Sequence, residues 1–296
     1  MHQNPQTHKH VPVLLAEIIQ STRPAPGERY LDVTAGYGGH AQAILSLTGN
    51  YAGSALVDRD PIAMEELHRQ FAQHPEIRLI NQDYLSAAQQ LMKAELQFDI
   101  IVADLGVSSP HLNEVERGFS VLGSGPLDMR MDPRQEVTAW HIVNHSSETE
   151  LADMLWRYGE EPKARQIARL IVRHRPLNTT QELAMLVSRV WPKGSHIHPA
   201  TRSFQAIRIV VNDELGQLER ALPVWLKLLA TNGRLAVISF HSLEDRIVKR
   251  AFSDVAGDRY DADYKLLTKH PVIADTQEIA INPRARSAKL RVLQQK

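Results

Sequence analysis

Four residue groups with chemical potential fall at regular intervals in the first third of this chain. The first is Gly36-Tyr37-Gly38-Gly39-His40, which follows the apolar run Tyr30-Leu31-Asp32-Val33. Glycines let backbone approach a ligand closely, and a helix predicted over Ala41–Leu47 would offer its unpaired N–H groups to the same ligand. The second is Asp58, which closes the apolar run Ser54-Ala55-Leu56-Val57. It lies about 20 residues beyond the glycines, the spacing of an acid that binds ribose hydroxyls. The third is Tyr84, just past the predicted strand Ile77–Asp83, where an aromatic ring can stack on adenine. The fourth is Asp104, near the end of the run Phe98–Leu105, followed by Gly106-Val107-Ser108-Ser109-Pro110-His111. Each has a plainer reading. Such a glycine loop can bind nothing, Asp58 can be a loop acid or a helix cap, and Tyr84 can be a core residue.

To bring these groups together the chain needs parallel strands whose carboxyl ends share an edge. Strands alternating with helices from Tyr30 to Leu105 predict such a sheet, with right-handed crossovers. A helix with apolar Val13, Leu14, Ile18 and Ile19 is expected over Val11–Ser21. Pro24-Ala25-Pro26-Gly27 then turns into the first strand. Asp60-Pro61 starts a helix after Asp58. From Val115 to about Val211 no strand is evident. Helical spacing appears over Thr149–Tyr158, Lys163–Arg175, Thr180–Val190 and Arg202–Val211, with N-terminal cap signals at Thr149 and Thr179. We read this as an inserted helical domain, giving a first part at 1–114, the insert at 115–211 and a second part at 212–296. The insert carries Arg157, Lys163, Arg165, Arg169, Arg173, Arg175, Arg189, Lys193, Arg202 and Arg208. That is either a basic docking surface or a solvated helix face. The alternation resumes with a helix over Asn212–Ala230, stopped by Asn232-Gly233, and a strand over Arg234–Phe240. His241 and Ser242 sit at that strand's carboxyl edge. Glu278–Ile281 and Ala288–Leu293 are expected to form a final hairpin.

Composition narrows the chemistry. The chain has 296 residues, no cysteine and a formal net charge of zero. Disulfides, thiolate-ligated metals and thiol nucleophiles are therefore excluded. No run of about 18 apolar residues predicts a membrane span, and no signal peptide is apparent, so a cytoplasmic protein is expected. A nicotinamide site would show Gly-x-Gly-x-x-Gly, but here Gly38-Gly39 runs into His40-Ala41-Gln42. The looser loop and the acids ending successive strands fit S-adenosylmethionine better, with a nicotinamide oxidoreductase as the rival. Methylation at pyrimidine carbon 5 needs a thiolate and radical adenosylmethionine chemistry needs a thiolate-bound cluster, so direct transfer to nitrogen or oxygen remains. An aryl amine is a poor nucleophile because its lone pair is delocalised. Asp104, with carbonyls near Ser109 and Pro110, is the candidate acceptor set that would hold its N–H groups out of conjugation.

These residues closely resemble the bacterial RsmH (MraW) family of small-subunit ribosomal RNA cytosine-N4 methyltransferases. The resemblance covers nearly the whole chain. It rests on His10-Val11-Pro12-Val13-Leu14-Leu15, the glycine loop, Asp58-Arg59-Asp60-Pro61, and Asp104 through Pro110. It continues with Glu116-Arg117-Gly118-Phe119-Ser120, Gly125-Pro126-Leu127-Asp128-Met129-Arg130-Met131-Asp132 and His198 through Ile209. Ser239-Phe240-His241-Ser242-Leu243-Glu244-Asp245-Arg246 and Asn282-Pro283-Arg284-Ala285-Arg286-Ser287 complete it. The resemblance implies an α/β class I S-adenosylmethionine-dependent methyltransferase fold, Rossmann-like with a mostly parallel sheet, and an inserted helical domain. It implies methyl transfer to N4 of a cytidine in the decoding region of 16S ribosomal RNA, within the small subunit. Cofactor contacts carry over to Gly38, Gly39, His40, Asp58, Tyr84 and Asp104, and to His111, where the family commonly has glutamine. Arg202, Gln205, Arg208, His241, Ser242, Arg284 and Arg286 are candidates for holding the RNA. No metal and no membrane are implied, and a homodimer is left open. For Asp128–Asp132 two readings stand: it shapes the acceptor pocket, or it locks the insert to the sheet by ion pairs.

Overall fold

The chain separates into two units, Met1–Gly106 with Gln217–Lys296, and Val107–Gly216. The computed structural model describes residues 12–192, 198–257 and 262–296, without the side chain of Ser109. His10, Val11 and Lys193 lie outside the described residues. In chain order the elements begin α1 (Leu15–Thr22), β1 (Tyr30–Asp32), α2 (Gly39–Thr48), β2 (Ala55–Val57), α3 (Pro61–Gln70), β3 (Arg78–Ile80), α4 (Tyr84–Lys93) and β4 (Phe98–Asp104). The second unit follows with α5 (Ser109–Asn113), α6 (Ala139–His145), α7 (Glu148–Gly159), α8 (Ala164–Arg173), α9 (Thr180–Ser188) and α10 (Thr201–Asn212). The chain closes with α11 (Glu214–Lys227), β5 (Leu229–Ser239), α12 (Ser242–Val255), β6 (Tyr264–Leu266), α13 (Thr276–Ile281) and β7 (Lys289–Gln295).

In the first unit seven strands form one sheet in the order β3-β2-β1-β4-β5-β7-β6. β1 to β5 are parallel, and β7 runs antiparallel to both β5 and β6. Register explains the two cores. Ala55, Leu31, Ile101, Leu235 and Leu293 lie side by side across five strands and share one face. α4, α11 and α12 cover that face, with Trp225 at its centre. The next row points to the opposite face, because side chains alternate along a strand. It contains Leu56, Asp32, Val102, Ala236 and Val292, and it packs against α1, α2 and α3. Arg234, at the base of β5, donates to both Glu28 oxygens at 2.7 Å and to the carbonyl of Thr22 at 2.7 Å. This pins the end of α1 to the sheet. It is the class I methyltransferase fold.

Three local expectations are corrected. Asp83 and Tyr84 do not end a strand. Asp83 is the N-cap of α4, accepting from Leu85 and Ser86 N–H, and Tyr84 is its first residue. Asn232-Gly233 does not stop a helix. α11 ends at Lys227, and the pair forms an irregularity inside β5, between the pairings Phe98–Leu229 and Ile100–Arg234. Asn232 takes φ 63° there, a conformation an Asn side chain tolerates. The final hairpin is also different. Glu278–Ile281 is helical, and the antiparallel partners of β7 are β5 and β6.

The second unit is helical, with Leu151, Leu155, Ile167, Ile171, Leu183, Phe204 and Ile207 in its core. The segment Asp128–Asp132 is a knot within this unit. Arg130 binds its neighbour Asp128 through both oxygens at 2.7–2.8 Å and donates to the carbonyl of Pro133 at 2.8 Å. Fully buried Asn212 donates to Met129 O and accepts from Met131 N, both at 2.8 Å. The ion pairs are thus local, and the tie to α10 is a side-chain amide. α7 and α10 cross at Gly159, where a Cβ would lie 2.6 Å from the carbonyl oxygen of Arg202. Backbone cannot yield as a side-chain tip can. Gly159→Ala is therefore expected to cost about 1–3 kcal/mol, read as a lowered melting temperature.

Candidate active site

The glycine loop is shaped by its own protein neighbours. Gly38 takes φ 76°, and a Cβ there would meet Gln70 and would lie 3.0 Å from Leu67 Cδ2. A Cβ on Gly39 would lie 2.6 Å from Pro12 Cγ. Gly38 needs glycine for its positive φ, and at Gly39 the Pro12 ring would have to shift, because α3 and the N-terminal segment close on the loop. Asp58 then fixes the loop's height. Its Oδ2 accepts from Gly36 N–H at 2.8 Å and its Oδ1 from Asp60 N–H at 2.8 Å. One carboxylate therefore joins the glycine loop, the end of β2 and the start of α3. Each of its oxygens has a second lone pair, directed elsewhere.

The centre of the edge is acidic and poorly solvated. Asp32 is buried between Leu56 and Val102, accepts from Tyr30 OH at 2.7 Å and from Thr34 N–H at 3.1 Å. Burial pushes its carboxyl up to about 7, with Asp58 adding to the rise and the two hydrogen bonds opposing it. Thr34 Oγ1 accepts the backbone N–H of Asp104 at 2.6 Å, tying β1 to β4 at the edge. Burial also raises Asp104 well above the carboxylate range, and the charges of Asp32 and Glu244 add to this. Its Oδ1 is buried and has no hydrogen-bond partner among the described residues. His40 lies in the first turn of α2, with Nδ1 3.9 Å from Asp104 Oδ2 and Nε2 2.9 Å from the carbonyl of Val13. The ring Nε2 must carry hydrogen to meet that carbonyl, so His40 links the N-terminal segment to the edge.

Tyr84 is half-buried. Its ring meets Trp225 edge-on at 5.4 Å, and the guanidinium of Arg59 sits 5.8 Å from its centre. Arg59 is held in turn by Gln217. Beyond β5, His241 is the N-cap of α12 and Ser242 its exposed first residue. Glu244 turns back to accept from Phe240 N–H at 2.8 Å and His241 N–H at 3.3 Å. The sheet edge thus gathers Gly38, Gly39, His40, Asp58, Tyr84, Asp104, His241 and Ser242 in the first unit. Sequence reasoning missed Asp32, Thr34 and Glu244. The available signal for Asp32 was an acid inside an apolar strand, which is seldom kept without a partner or a use.

In the second unit several expected roles change. Ser108 caps α5, and the Pro110 carbonyl accepts from Glu114 N–H at 2.8 Å, so that carbonyl is spent inside the helix. Ser109 is the first residue of the same turn. His111 closes the cap: its Nδ1 lies 3.2 Å from Ser108 N and 3.0 Å from Ser108 Oγ, and its buried ring packs on Phe119. Arg208 is held by Glu214 through two bonds of 2.8 and 2.9 Å. Gln205 donates to the Tyr158 carbonyl at 3.0 Å. Lys163 donates to Val190 O and sits over the Trp191 ring, and Arg175 donates to Val143 O, so neither is an open cation. Arg165, Arg173, Arg189 and Arg202 are exposed. In the first unit, Arg286 is exposed and Arg284 is half-buried, with burial lowering its guanidinium.

The arrangement fits a cationic ligand. An unpaired buried acceptor on Asp104, beside Asp32, Asp58 and Glu244, is costly alone and favourable against positive charge. The same burial has a consequence for stability. Asp32 holds its proton up to about pH 7 in the fold, whereas the unfolded side chain loses it near 3.8. Across that interval the unfolded state binds fewer protons, so the contribution of Asp32 to stability falls as pH rises, by about 1.4 kcal/mol per unit. Melting between pH 5 and 7 is expected to show this slope, and Asp32→Asn to flatten it.

Comparison with known proteins agrees with the geometry. The sequence profile described as "MraW methylase family" matches residues 7–296. A protein of Cyanothece sp. named "Ribosomal RNA small subunit methyltransferase H" is 50% identical over 289 residues, covering 96% of this chain and 94% of that relative. A relative of the same name from Acidobacterium capsulatum is 45% identical over 301 residues, covering 98% of this chain and 100% of its own length. With the match spanning both units, this chain belongs to the MraW methylase family.

Proposed function

We propose that this protein transfers a methyl group to N4 of a cytidine in the decoding region of 16S ribosomal RNA, within the small ribosomal subunit. The cofactor is S-adenosylmethionine. Support comes from family membership, from the relatives' name, and above all from the unpaired Oδ1 of Asp104 at the end of β4. The bound cofactor supplies an electrophilic methyl group on a positively charged sulfur. Asp58 is the residue for its ribose hydroxyls, Tyr84 for its adenine, and the acids around Asp104 for its positive charge.

Asp104 carries the acceptor chemistry. An acceptor on the amine's N–H draws its lone pair out of conjugation with the ring and aligns it for in-line attack. As the new nitrogen–carbon bond forms, the amine sheds one proton, and a carboxyl raised by burial is well matched to receive it. Thr34 fixes the height of this carboxylate through the Asp104 N–H, while Asp32 and Glu244 keep it basic. The chain has no cysteine, which removes attack at carbon 5 from consideration. Exposed Arg165, Arg173, Arg189, Arg202 and Arg286 offer charge for the phosphate backbone.

Mass mapping of the methylated nucleotide, after incubation with labelled cofactor and unmodified small subunits, tests the assignment. Asp104→Asn is expected to lower turnover by about 10²–10⁴-fold, and full turnover in that variant would remove the acceptor role. A second consequence concerns protons. Asp32 and Asp104 are held high, and a cationic ligand lowers the pKa of a neighbouring acid. Cofactor binding is therefore expected to release protons and to tighten from pH 6 to 8. Calorimetry in buffers of different ionisation enthalpy reads both.

A further inference from the structure

Cytosine offers an electrophile two nitrogens. The ring nitrogen N3 keeps its lone pair in the ring plane, while the lone pair of N4 is delocalised into the ring. N3 is therefore the better nucleophile in the free base, and a catalyst of N4 methylation must keep N3 silent. A hydrogen-bond donor does so by occupying the N3 lone pair.

His241 has such a donor to spare. As N-cap of α12, its Nδ1 accepts the backbone N–H of Glu244 at 3.4 Å. A nitrogen that accepts is unprotonated, so its hydrogen partner assigns the ring hydrogen to Nε2. That Nε2 is buried and makes no hydrogen bond among the described residues. Glu244 Oε1 lies 3.3 Å away, without the alignment of one, and the His241 side chain is only 10% exposed. A buried donor without an acceptor is unfavourable by itself.

The donor follows the strand next to the one that ends in the unpaired acceptor. β4 and β5 are parallel neighbours with Asp104 opposite Ile238, and His241 follows Ile238 by three residues toward the same edge. The charge of Glu244, which is bound to His241 N–H, is felt at Asp104. Adjacent strands thus end in one unfilled acceptor, Asp104 Oδ1, and one unfilled donor, His241 Nε2. The pairing edge of cytosine carries the complement, an N4–H donor beside the N3 acceptor. Uracil carries the reverse order, an O4 acceptor beside an N3–H donor, and meets both groups with like polarity.

We propose that His241 donates its Nε2 hydrogen to N3 of the target cytosine, which blocks methylation there, directs the methyl group to N4 and rejects uracil. This deepens the reading of cytosine N4 chemistry and rests on it. His241 contributes selectivity by touching the base, while bond making stays with N4: the amine attacks, the carbon–sulfur pair leaves on sulfur, and the amine proton goes to Asp104.

Two variants test it. His241→Asn keeps a short side-chain oxygen for the Glu244 N–H and loses the donor at Nε2. His241→Gln carries an amide N–H near the Nε2 position. Each is incubated with S-adenosylmethionine and unmodified small subunits, and the nucleosides are separated by chromatography. The ratio of N3- to N4-methylcytidine is expected to rise about tenfold or more in His241→Asn and to fall back toward wild type in His241→Gln. Without cofactor, the wild-type preference for cytidine over uridine monophosphate is expected to shrink by about tenfold in His241→Asn. A His241→Asn protein that melts as wild type does and yields N4-methylcytidine alone, or no product, overturns the proposal. A wild-type reaction without N4-methylcytidine instead fails the underlying reading, and both fall together.

Discussion

Carboxylates held in a hydrophobic sheet edge set the terms for the rest of this protein. Asp32 occupies a row whose other members are Leu56, Val102, Ala236 and Val292. An acid in such a row is costly unless its oxygens are satisfied. Tyr30 and Thr34 satisfy them from the same strand and the turn that follows it. Thr34 in turn fixes the backbone of Asp104 on the next strand. One unfavourable burial thereby organises the ends of β1 and β4 and leaves Asp104 with an unanswered oxygen. The cost is borne by the large apolar cores on both faces of the sheet.

The glycine loop is subordinate to this arrangement. Its glycines pack against Leu67, Gln70 and Pro12, and its height is set by Asp58. A loop packed this way has little freedom to reorganise around a ligand, which is what preorganisation requires. The same economy appears in the second unit. There Arg130 and Arg208 spend their guanidinium groups on Asp128 and Glu214, and Asn212 satisfies the backbone on either side of Arg130. Met129, at φ 59°, is held in a backbone conformation that a bulky residue avoids, and the Asn212 bond to its carbonyl helps to hold it. The charges of Arg130 and Arg208 are thus neutralised within the unit.

The parts of the site legible in sequence are those set by local periodicity. β2 and β4 are apolar runs, and Asp58 and Asp104 stand where those runs end. Their spacing from the glycines follows from one helix between strands, so it survives without coordinates. Legibility fails where a partner is remote. β7 pairs with a strand about 55 residues earlier, and no local pattern distinguishes it from a hairpin arm. Which cations of the insert are paired is illegible for a related reason. A sequence lists Arg208 and Glu214 but does not orient them, so an internal ion pair reads as surface charge. The capping role of His111 was equally hidden: a histidine three residues after Ser108 at a helix start turns inward to the cap.

By itself the sequence determined the fold class, the alternation of strand and helix, the methyltransferase family and the acids that end the strands, because these depend on residue order within one or two elements. Tertiary structure alone decided which of those acids is desolvated, which cations are consumed in ion pairs, and which buried atoms are left without partners. Desolvation and pairing depend on distances between residues far apart in the chain. Those distances exist only once the strands are side by side and the apolar rows have closed around them.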